Sequence, residues 1–323
     1  MDKNAKISLP AKVARILNTL GEHGYEAYAV GGCVRDSLLG RTPQDWDITT
    51  SARPEQVKAL FRHTIDTGIQ HGTVTVMLEH EGFEVTTYRI DGEYEDARHP
   101  KEVAFTANLL EDLKRRDFTI NAMAYNEVTG LVDAFDGIGD LERGVIRCVG
   151  NAMERFSEDA LRMLRAVRFA AQLGFSIEQE TQEAIAGLAG NIKKVSAERI
   201  QVELVKLLTS PNPGELKVAY RTGLTAVFLP EFDVMMETPQ NNPHHCCSVG
   251  EHTLKAIEAV PADKVLRLTM LLHDIAKPAC RTTDKKGVDH FYGHPVRGSE
   301  MARGILRRLK FDNDTTDRVC RLG

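Results

Sequence analysis

Alternating branched hydrophobic and polar residues predict two neighbouring β-strands in the first half of the chain. The segments Gly72–Leu78 and Phe83–Arg89 both have this period of two, which is typical of half-buried strands, and we expect them to pair antiparallel. An amphipathic helix is predicted around Ala11–Leu20, and helical periodicity dominates from about Asn151 onwards. The pattern therefore predicts a β-rich region over residues 27–145 and a helical region after it.

A double glycine lies between a short predicted strand and a short predicted helix. The stretch Tyr28–Gly40 indicates a strand, a glycine turn and a helix that ends at Gly40. Gly31 and Gly32 let the backbone approach a ligand closely, with N–H groups free to bind an anion. Arg35 would lie on the first turn of the helix, near the positive end of its dipole. These residues predict a phosphate-binding turn.

Two aspartates follow this turn and are predicted to share one face of a strand. Residues two apart along a strand point the same way, so Asp45 and Asp47 would face a site while Trp46 and Ile48 face the core. Two neighbouring carboxylates repel each other unless a cation lies between them. Mg²⁺ suits such oxygen ligands together with substrate phosphates. The alternative is a solvated strand end, and the upstream glycines and arginine favour the metal site.

Composition narrows the class of protein. A chain of 323 residues is expected to form two or more domains, and its 42% hydrophobic and 27% charged residues are ordinary for a globular protein. There is no apolar run long enough to span a bilayer and no signal peptide. Six cysteines without Cys-x-x-Cys spacing indicate reduced thiols, so we expect a cytoplasmic protein. The net charge of −5 argues against non-specific coating of nucleic acid, so RNA binding would need local basic patches.

Three segments resemble, in order, the motifs of the class II tRNA nucleotidyltransferases, the family of bacterial CCA-adding enzymes and poly(A) polymerases. They are residues 31–47, 115–124 and 158–169. The resemblance implies an α+β fold, with a polymerase-β-like head built on a mixed sheet with helices. An all-α neck, body and HD-like region would follow. We assign the head to residues 1–145, the neck to 146–210, the body to 211–240 and the HD-like region to 241–323.

The resemblance also implies site residues. Glu84 lies on a strand that we expect to pair near Asp45 and Asp47, and the family often has a third acid there, so Glu84 is expected to complete the carboxylate cluster. The alternative is a cross-strand partner for a surface Lys or Arg. Arg115 is expected to begin a helix through Ala124. Arg116 and Asp117 would bind phosphate or ribose oxygens, although a plain surface ion pair is the alternative. The full predicted nucleotide-binding set is Gly31, Gly32, Arg35, Arg116, Asp117, Asn121, Asp159, Arg162, Arg165 and Arg168.

A helix capped by Ser157 is expected to carry the base-reading residues. Asp159 and Arg162 are three residues apart and would share a face of the helix, and a routine ion pair between them is the alternative. The resemblance implies that this pair reads the incoming base. Cytosine and adenine both present an exocyclic amine that can donate a hydrogen bond to a carboxylate, whereas uracil and guanine present a carbonyl at the same edge. Arg168 would lie nearly opposite Asp159, so it would contact a nucleotide least directly or brace the site.

The last hundred residues resemble an HD domain. Its histidine and aspartate residues suit a divalent metal, and the candidate ligands are His252, His273, Asp274 and His294. A further ligand is expected downstream of Gly323, so we expect the chain to be truncated there and this region to be a scaffold or an impaired site.

These features together predict template-independent addition of CCA to the 3′ end of tRNA. The substrates would be CTP and ATP, Mg²⁺ would be the cofactor, and pyrophosphate would leave. The polar segment 91–100 is expected to be a loop that favours CCA or A addition over C-only addition, with an ordinary hairpin connection as the alternative. A poly(A) polymerase or A-only enzyme is the alternative within the family. An HD phosphohydrolase and an inactive RNA-binding protein are further alternatives, and the acid pair argues against both.

Overall fold

The computed structural model describes residues 1–94, 103–241 and 247–323, which form two compact units, Met1–Glu158 and Asp159–Gly323. Residues 95–100 of the predicted loop lie outside the described residues, as do residues 242–246 of the predicted HD-like region 241–323. The role of that loop therefore stays a prediction.

The first unit combines one large sheet with short helices. Its helices are α1 (Ala11–Glu22), α2 (Gly32–Leu38), α3 (Pro54–Leu60), α4 (Leu109–Lys114), α5 (Gly137–Arg143) and α6 (Ala152–Glu158). Its strands are β1 (Ala27–Val30), β2 (Asp47–Thr50), β3 (Thr64–Gly68), β4 (Thr73–Leu78), β5 (Glu81–Thr87), β6 (Arg89–Asp91), β7 (Val103–Phe105), β8 (Met123–Asn126), β9 (Gly130–Asp133) and β10 (Val145–Ile146). The predicted helix near residue 11 and the two predicted strands are confirmed.

Seven strands form a mixed sheet in the order β3-β4-β5-β2-β1-β8-β9. Strands β4 and β5 pair antiparallel, as their alternation predicts, whereas β2 and β5 pair parallel with Ile48 opposite Val85. Strand β2 therefore lies at the centre of the sheet. This position brings Asp47 next to residues that are distant along the chain.

Each face of the sheet is covered by helices. Ile48 and Val85 pack on one face with Ile16 and Leu20 of α1, and Trp46 packs partly buried against the same cluster. The opposite face carries a second cluster that includes Leu113 of α4. Full burial of each such aliphatic side chain contributes about 1.5–3 kcal/mol. Trp46 and Ile48 thus face the core as predicted, which leaves Asp47 on the opposite face.

The helix predicted from Arg115 to Ala124 is wrong. Helix α4 ends at Lys114, a short 3₁₀ turn follows over Thr119–Asn121, and Met123 begins β8. Strand β8 is buried in the sheet, where it pairs with both β1 and β9, so its backbone hydrogen bonds go to neighbouring strands. Tertiary pairing overrides the local helical propensity of this segment.

Among its described residues, the second unit is helical apart from three short strands. Its helices are α7 (Leu161–Leu173), α8 (Gln179–Leu188), α9 (Ala197–Leu208), α10 (Leu216–Arg221), α11 (Thr225–Phe228), α12 (Pro230–Glu237), α13 (Val249–Ala259), α14 (Lys264–Leu272), α15 (Lys277–Cys280), α16 (His294–Arg308) and α17 (Asn313–Leu322). Its strands are β11 (Ser176–Ile177), β12 (Thr282–Thr283) and β13 (Asp289–His290). Helix α7 packs against α9, α13 packs against α12 and α14, and α17 packs against α14 and α16.

The predicted capping role of Ser157 is also wrong. Ser157 lies inside α6, and its hydroxyl donates to the Met153 carbonyl. Helix α7 begins later, at Leu161, whose N–H donates to the Asp159 carboxylate at 3.1 Å. The N-cap of α7 is Ala160, and the Asp159 side chain just before it, rather than Ser157, accepts from the start of this helix. Within the described residues, no helix combines the length and apolarity that crossing a membrane requires.

Candidate active site

The double glycine forms a tight turn directly beside the acid pair. Val30, the last residue of β1, pairs with Asp47, the first residue of β2. Gly31 follows with φ of 82° and ψ of −132°, a backbone conformation that side chains strongly disfavour. Helix α2 then begins at Gly32. The predicted strand, turn and helix are confirmed, and the turn lies close to Asp47. The Gly31 N–H donates to the Met123 carbonyl at 3.1 Å, so the expectation that it is free to bind an anion is wrong.

Three carboxylates gather at this end of the central strands. Asp45 lies just before β2 and is exposed, Asp47 begins β2, and Glu84 lies on β5, one residue before the Ile48–Val85 pair. Surrounding protein atoms remove part of the hydration of Asp47, which raises the pKa of its carboxyl, and the charges of Glu84 and Asp45 raise it further. Glu84 therefore lies beside Asp47, as expected, and its role as a third acid stays a prediction.

The chemistry of this donor set fits a divalent cation. Neighbouring carboxylates repel each other and gain stability from a cation between them, and oxygen ligands suit a hard ion. Among the described residues, one set of three possible metal-ligating atoms lies within 4.8 Å of one another, and it belongs to the second unit. The carboxylates of the head are therefore spread more widely than that. Mutual repulsion favours this spread. Asp45 and Asp47 are the residues that would hold the ion.

The remaining predicted residues of the head surround the glycine turn. A Cβ on Gly31 would lie 3.5 Å from Arg116 Nη1 and 3.7 Å from the Asn121 carbonyl oxygen. Arg35 Nη1 donates to Asn121 Oδ1 at 2.7 Å, and Asn121 Nδ2 donates to Asp117 Oδ1 at 3.4 Å. The structure thus brings Gly31, Arg35, Arg116, Asp117 and Asn121 into one patch.

Sequence reasoning missed two residues behind this patch, Asp112 and Thr49. Asp112 is fully buried and lies 3.5 Å from Arg116 Nη2, and Thr49 Oγ1 donates to it at 2.9 Å. Asp112 stands four residues before Arg116, and that helical spacing was the signal that could have found it.

In the second unit, Asp159 pairs with a residue that sequence reasoning did not single out. Arg199 on α9 donates to both Asp159 oxygens, at 2.8 and 3.3 Å. Arg162 contributes its backbone N–H to the Asp159 carbonyl at 3.1 Å and stands half-buried on the first turn of α7. The base-reading roles of Asp159 and Arg162 stay predictions.

Arg168 is buried against α9. Its Nε donates to Glu203 Oε2 at 2.6 Å, and its guanidinium lies 4.0 Å from the centre of the Phe169 ring. Arg165 is more exposed, with its Nη1 3.9 Å from Glu203 Oε1. These contacts favour the bracing role for Arg168 over direct nucleotide contact, and leave Arg165 the better placed of the two to meet a ligand.

Three of the four candidate ligands of the HD-like region, the histidines, converge on the fourth, the Asp274 carboxylate. The Nε2 atoms of His252, His273 and His294 lie 3.7, 3.1 and 3.7 Å from the Asp274 oxygens. The Nδ1 atoms of His273 and His294 each contact a backbone carbonyl, which leaves Nε2 directed towards Asp274. That orientation is typical of metal-binding histidines, so the residues fit a divalent metal.

Charge in this cluster is already partly balanced. Lys277 Nζ lies 2.9 Å from Asp274 Oδ2. Burial alone would raise the pKa of the Asp274 carboxyl, but hydrogen bonds and charges of His273 and Lys277 outweigh it and lower this pKa to about 2. Burial alone would lower the pKa of His273, but contact with Asp274 raises it overall. A metal would share Asp274 with Lys277.

Three family models match the chain, in the order of the predicted regions. The Poly A polymerase head domain matches residues 27–147, the probable RNA and SrmB-binding site of polymerase A matches 174–236, and the HD domain matches 244–322. Proteins with the first and third of these domains typically use divalent metals.

Known relatives agree with these models. The CCA-adding enzyme of Leuconostoc mesenteroides is 54% identical over 207 residues, 64% of this chain and 52% of that protein. The CCA-adding enzyme of Lactobacillus delbrueckii subsp. bulgaricus is 57% identical over 211 residues, 65% of this chain and 53% of that protein. A solved structure, Bacillus stearothermophilus CCA-adding enzyme in complex with CTP, is 36% identical with a TM-score of 0.72, covering 94% of this chain and 66% of that one.

The chain belongs to the nucleotidyltransferase family that contains the CCA-adding enzymes and the bacterial poly(A) polymerases. Its fold is α+β, with a polymerase head followed by helices that include an HD domain. The chain spans about half the length of the curated relatives it matches.

Proposed function

We propose that this protein adds C, C and A to the 3′ end of tRNA from CTP and ATP, without a template, in the cytoplasm. The observation that carries the proposal is the grouping of Asp45, Asp47 and Glu84 beside the Gly31 turn. A module that only binds RNA has no need for three neighbouring carboxylates at such a turn. The relatives named above are CCA-adding enzymes, and one was solved with CTP.

The head residues position the reacting groups. Asp45 and Asp47 would hold Mg²⁺, which supplies positive charge for the attacking 3′-hydroxyl and for the triphosphate when bound. The Gly31–Gly32 backbone admits the triphosphate closely, and Arg116 adds a fixed positive charge there. Asp117, near the Asn121 amide, accepts from a ribose hydroxyl. Catalysis then rests on positioning and electrostatics, as expected for this class of transfer.

Base selection would fall to Asp159 and Arg162. The Asp159 carboxylate would accept from the exocyclic amine that cytosine and adenine share, while Arg162 donates to their ring acceptors. Arg199, on both Asp159 oxygens, fixes the orientation of this carboxylate. With uracil or guanine, the Asp159 carboxylate would face a carbonyl oxygen of the base, and the two oxygens would repel each other.

Product sizing tests the proposal. A tRNA transcript lacking its last three nucleotides is incubated with each labelled nucleotide alone and with all four together, and the products are resolved to single nucleotides. We expect two additions with CTP alone, a third that requires ATP, and none with UTP or GTP. Long adenosine tails would favour a poly(A) polymerase, and a single A added only to transcripts ending in CC would favour an A-only enzyme. The absence of any transfer would refute the proposal.

The HD domain favours a second candidate activity, metal-dependent hydrolysis of phosphoesters. The observation behind it is the convergence of His252, His273 and His294 on Asp274. We expect this activity to be weak, because the Lys277 ammonium already lies on one Asp274 oxygen. Hydrolysis of 2′,3′-cyclic and terminal phosphates with Mn²⁺, Ni²⁺ or Co²⁺, compared between the parent and His273→Ala, tests it.

A further inference from the structure

Asp112 holds a completely buried carboxylate at the back of the head patch. None of its surface is exposed, and four groups contact it. Thr49 Oγ1 donates to Oδ2 at 2.9 Å, the Arg89 backbone N–H donates to Oδ1 at 3.2 Å, Arg115 Nη2 donates to Oδ1 at 3.1 Å, and Arg116 Nη2 lies 3.5 Å from Oδ2. Burial alone would raise the pKa of this carboxyl, but the two arginines and the hydrogen bonds lower it overall, so Asp112 stays ionised.

These contacts tie the metal-bearing strand to the candidate phosphate-binding arginine. Thr49 lies two residues after Asp47 on β2, on the same face of the sheet. Arg116 lies between Asp112 and the front of the site, because its charge also interacts with Asp47 and Asp117 and its Nη1 approaches Gly31. Asp112 therefore contacts both Thr49 of β2 and Arg116, although its own side chain is not exposed at the surface of the patch.

The Arg116 side chain needs such support to act as a fixed donor. Its Nε is buried and makes no hydrogen bond within the part of the chain that the structure describes. A long side chain loses considerable rotamer freedom when it is held in one place, and an ionic contact at one end of its fork supplies that constraint. The other end then faces Asp47 and the glycine turn.

We propose that Asp112 is a positioning residue for nucleotidyl transfer. Its carboxylate holds the Arg116 guanidinium beside Gly31 and Asp47, where that guanidinium meets the phosphate oxygens of the incoming nucleotide. This inference rests on the proposed function. Asp112 itself touches neither substrate nor metal.

The principal test is Asp112→Asn, which keeps size and one acceptor oxygen but removes the charge that holds Arg116. We expect KM for CTP and for ATP to rise together by about 10- to 100-fold. Discrimination against UTP and GTP stays unchanged, because base reading lies elsewhere. Thr49→Val is the milder second variant: it removes one hydrogen bond to Asp112 and should raise both KM values in the same direction by a smaller factor.

Asp140→Asn is a matched control in the same unit. Asp140 is 1% exposed, and like Asp112 it binds a threonine hydroxyl and two arginines: Thr119 Oγ1 at 2.6 Å, Arg143 Nη2 at 2.8 Å and Arg147 Nε at 3.2 Å. Its arginines have no part in the proposed site. We expect Asp140→Asn to lower Tm as Asp112→Asn does, but to leave both KM values at the parent level.

A double variant shows whether Asp112 acts through Arg116. Arg116→Lys keeps the charge but loses the planar fork, and should raise KM by itself. If Asp112 only positions Arg116, then Asp112→Asn combined with Arg116→Lys is no worse than Arg116→Lys alone. The proposal is overturned if the KM increases of the two single variants multiply in the double variant. Equal KM changes in Asp112→Asn and Asp140→Asn would also overturn it.

Direct CTP binding, measured by calorimetry with Mg²⁺, separates this inference from the proposed function. CTP binding that weakens in Asp112→Asn but not in Asp140→Asn supports the positioning role, even if transfer is slow. Unchanged CTP binding and KM in a folded Asp112→Asn protein overturn that role and leave the proposed function standing. A parent protein that neither binds CTP nor transfers it overturns both.

Discussion

Breaking the ion pair between Arg168 and Glu203 should strongly destabilise the second unit. Arg168 Nε and Nη2 donate to the two Glu203 oxygens at 2.6 and 3.3 Å, and the side chains are 8% and 5% exposed. Removing one partner of a buried pair leaves the other charge without full compensation, which costs about 3–5 kcal/mol. For a unit of this size each kcal/mol shifts Tm by about 2–4 °C, so Glu203→Gln should lower Tm by about 6–20 °C.

Thermal unfolding of four variants tests this reasoning. Arg168→Met should destabilise about as much as Glu203→Gln, whereas Arg168→Met combined with Glu203→Leu should be more stable than either single variant, because no buried charge remains. Glu198→Gln is the control, since Glu198 is exposed on the same helix and should change Tm little. The reasoning is refuted if the single variants match this control, or if the combined variant loses the sum of the single losses. Unchanged KM for CTP in the folded Arg168→Met protein would support the bracing role.

Three further predictions follow from the two units. Gly31→Ala should lower stability by about 1–3 kcal/mol and weaken CTP binding, whereas Gly24→Ala, also at positive φ but with open space around it, should lower stability alone; equal CTP affinity in both would contradict the role of the turn. Asp159→Ala should admit UTP and GTP while changing triphosphate affinity little, as measured by competitive incorporation; unchanged exclusion of both would contradict base reading. His273→Ala should abolish Mn²⁺ or Co²⁺ binding to the HD domain in calorimetry, whereas His290→Ala, which removes a histidine paired with Asp284, should retain it.

Much of the head could be predicted because its signals are local. The alternation in β4 and β5 gave their pairing, and the glycines gave the turn between β1 and α2. The carboxylate of Glu84 could be associated with Asp47 because strand residues keep a fixed alternation once two strands are adjacent.

Long-range pairing explains what the sequence did not reveal. The local sequence of residues 122–126 resembles a helix, yet this segment pairs antiparallel with β1 as a strand. Asp159 meets Arg199 across two packed helices, forty residues apart along the chain, and no local spacing indicates such a contact. The contact between Thr49 and Asp112 was missed for the same reason, since it joins a helix to the centre of the sheet.

The central claim is that Asp45 and Asp47 serve nucleotide transfer rather than structure, and Asp47→Asn tests it most directly. The measurement is the rate of C incorporation into a tRNA transcript without its CCA end, made together with thermal unfolding. Because the pKa of Asp47 is raised, its ionised form is disfavoured in the folded protein at neutral pH, so Asn should leave stability equal or higher. The variant should lose several kcal/mol of metal-dependent stabilisation of the transition state, which predicts a rate of C incorporation at least about 10³-fold lower. Asp66→Asn, which removes an exposed partner of Lys58, should keep the parent rate. A folded Asp47→Asn protein that transfers at the parent rate would contradict the account.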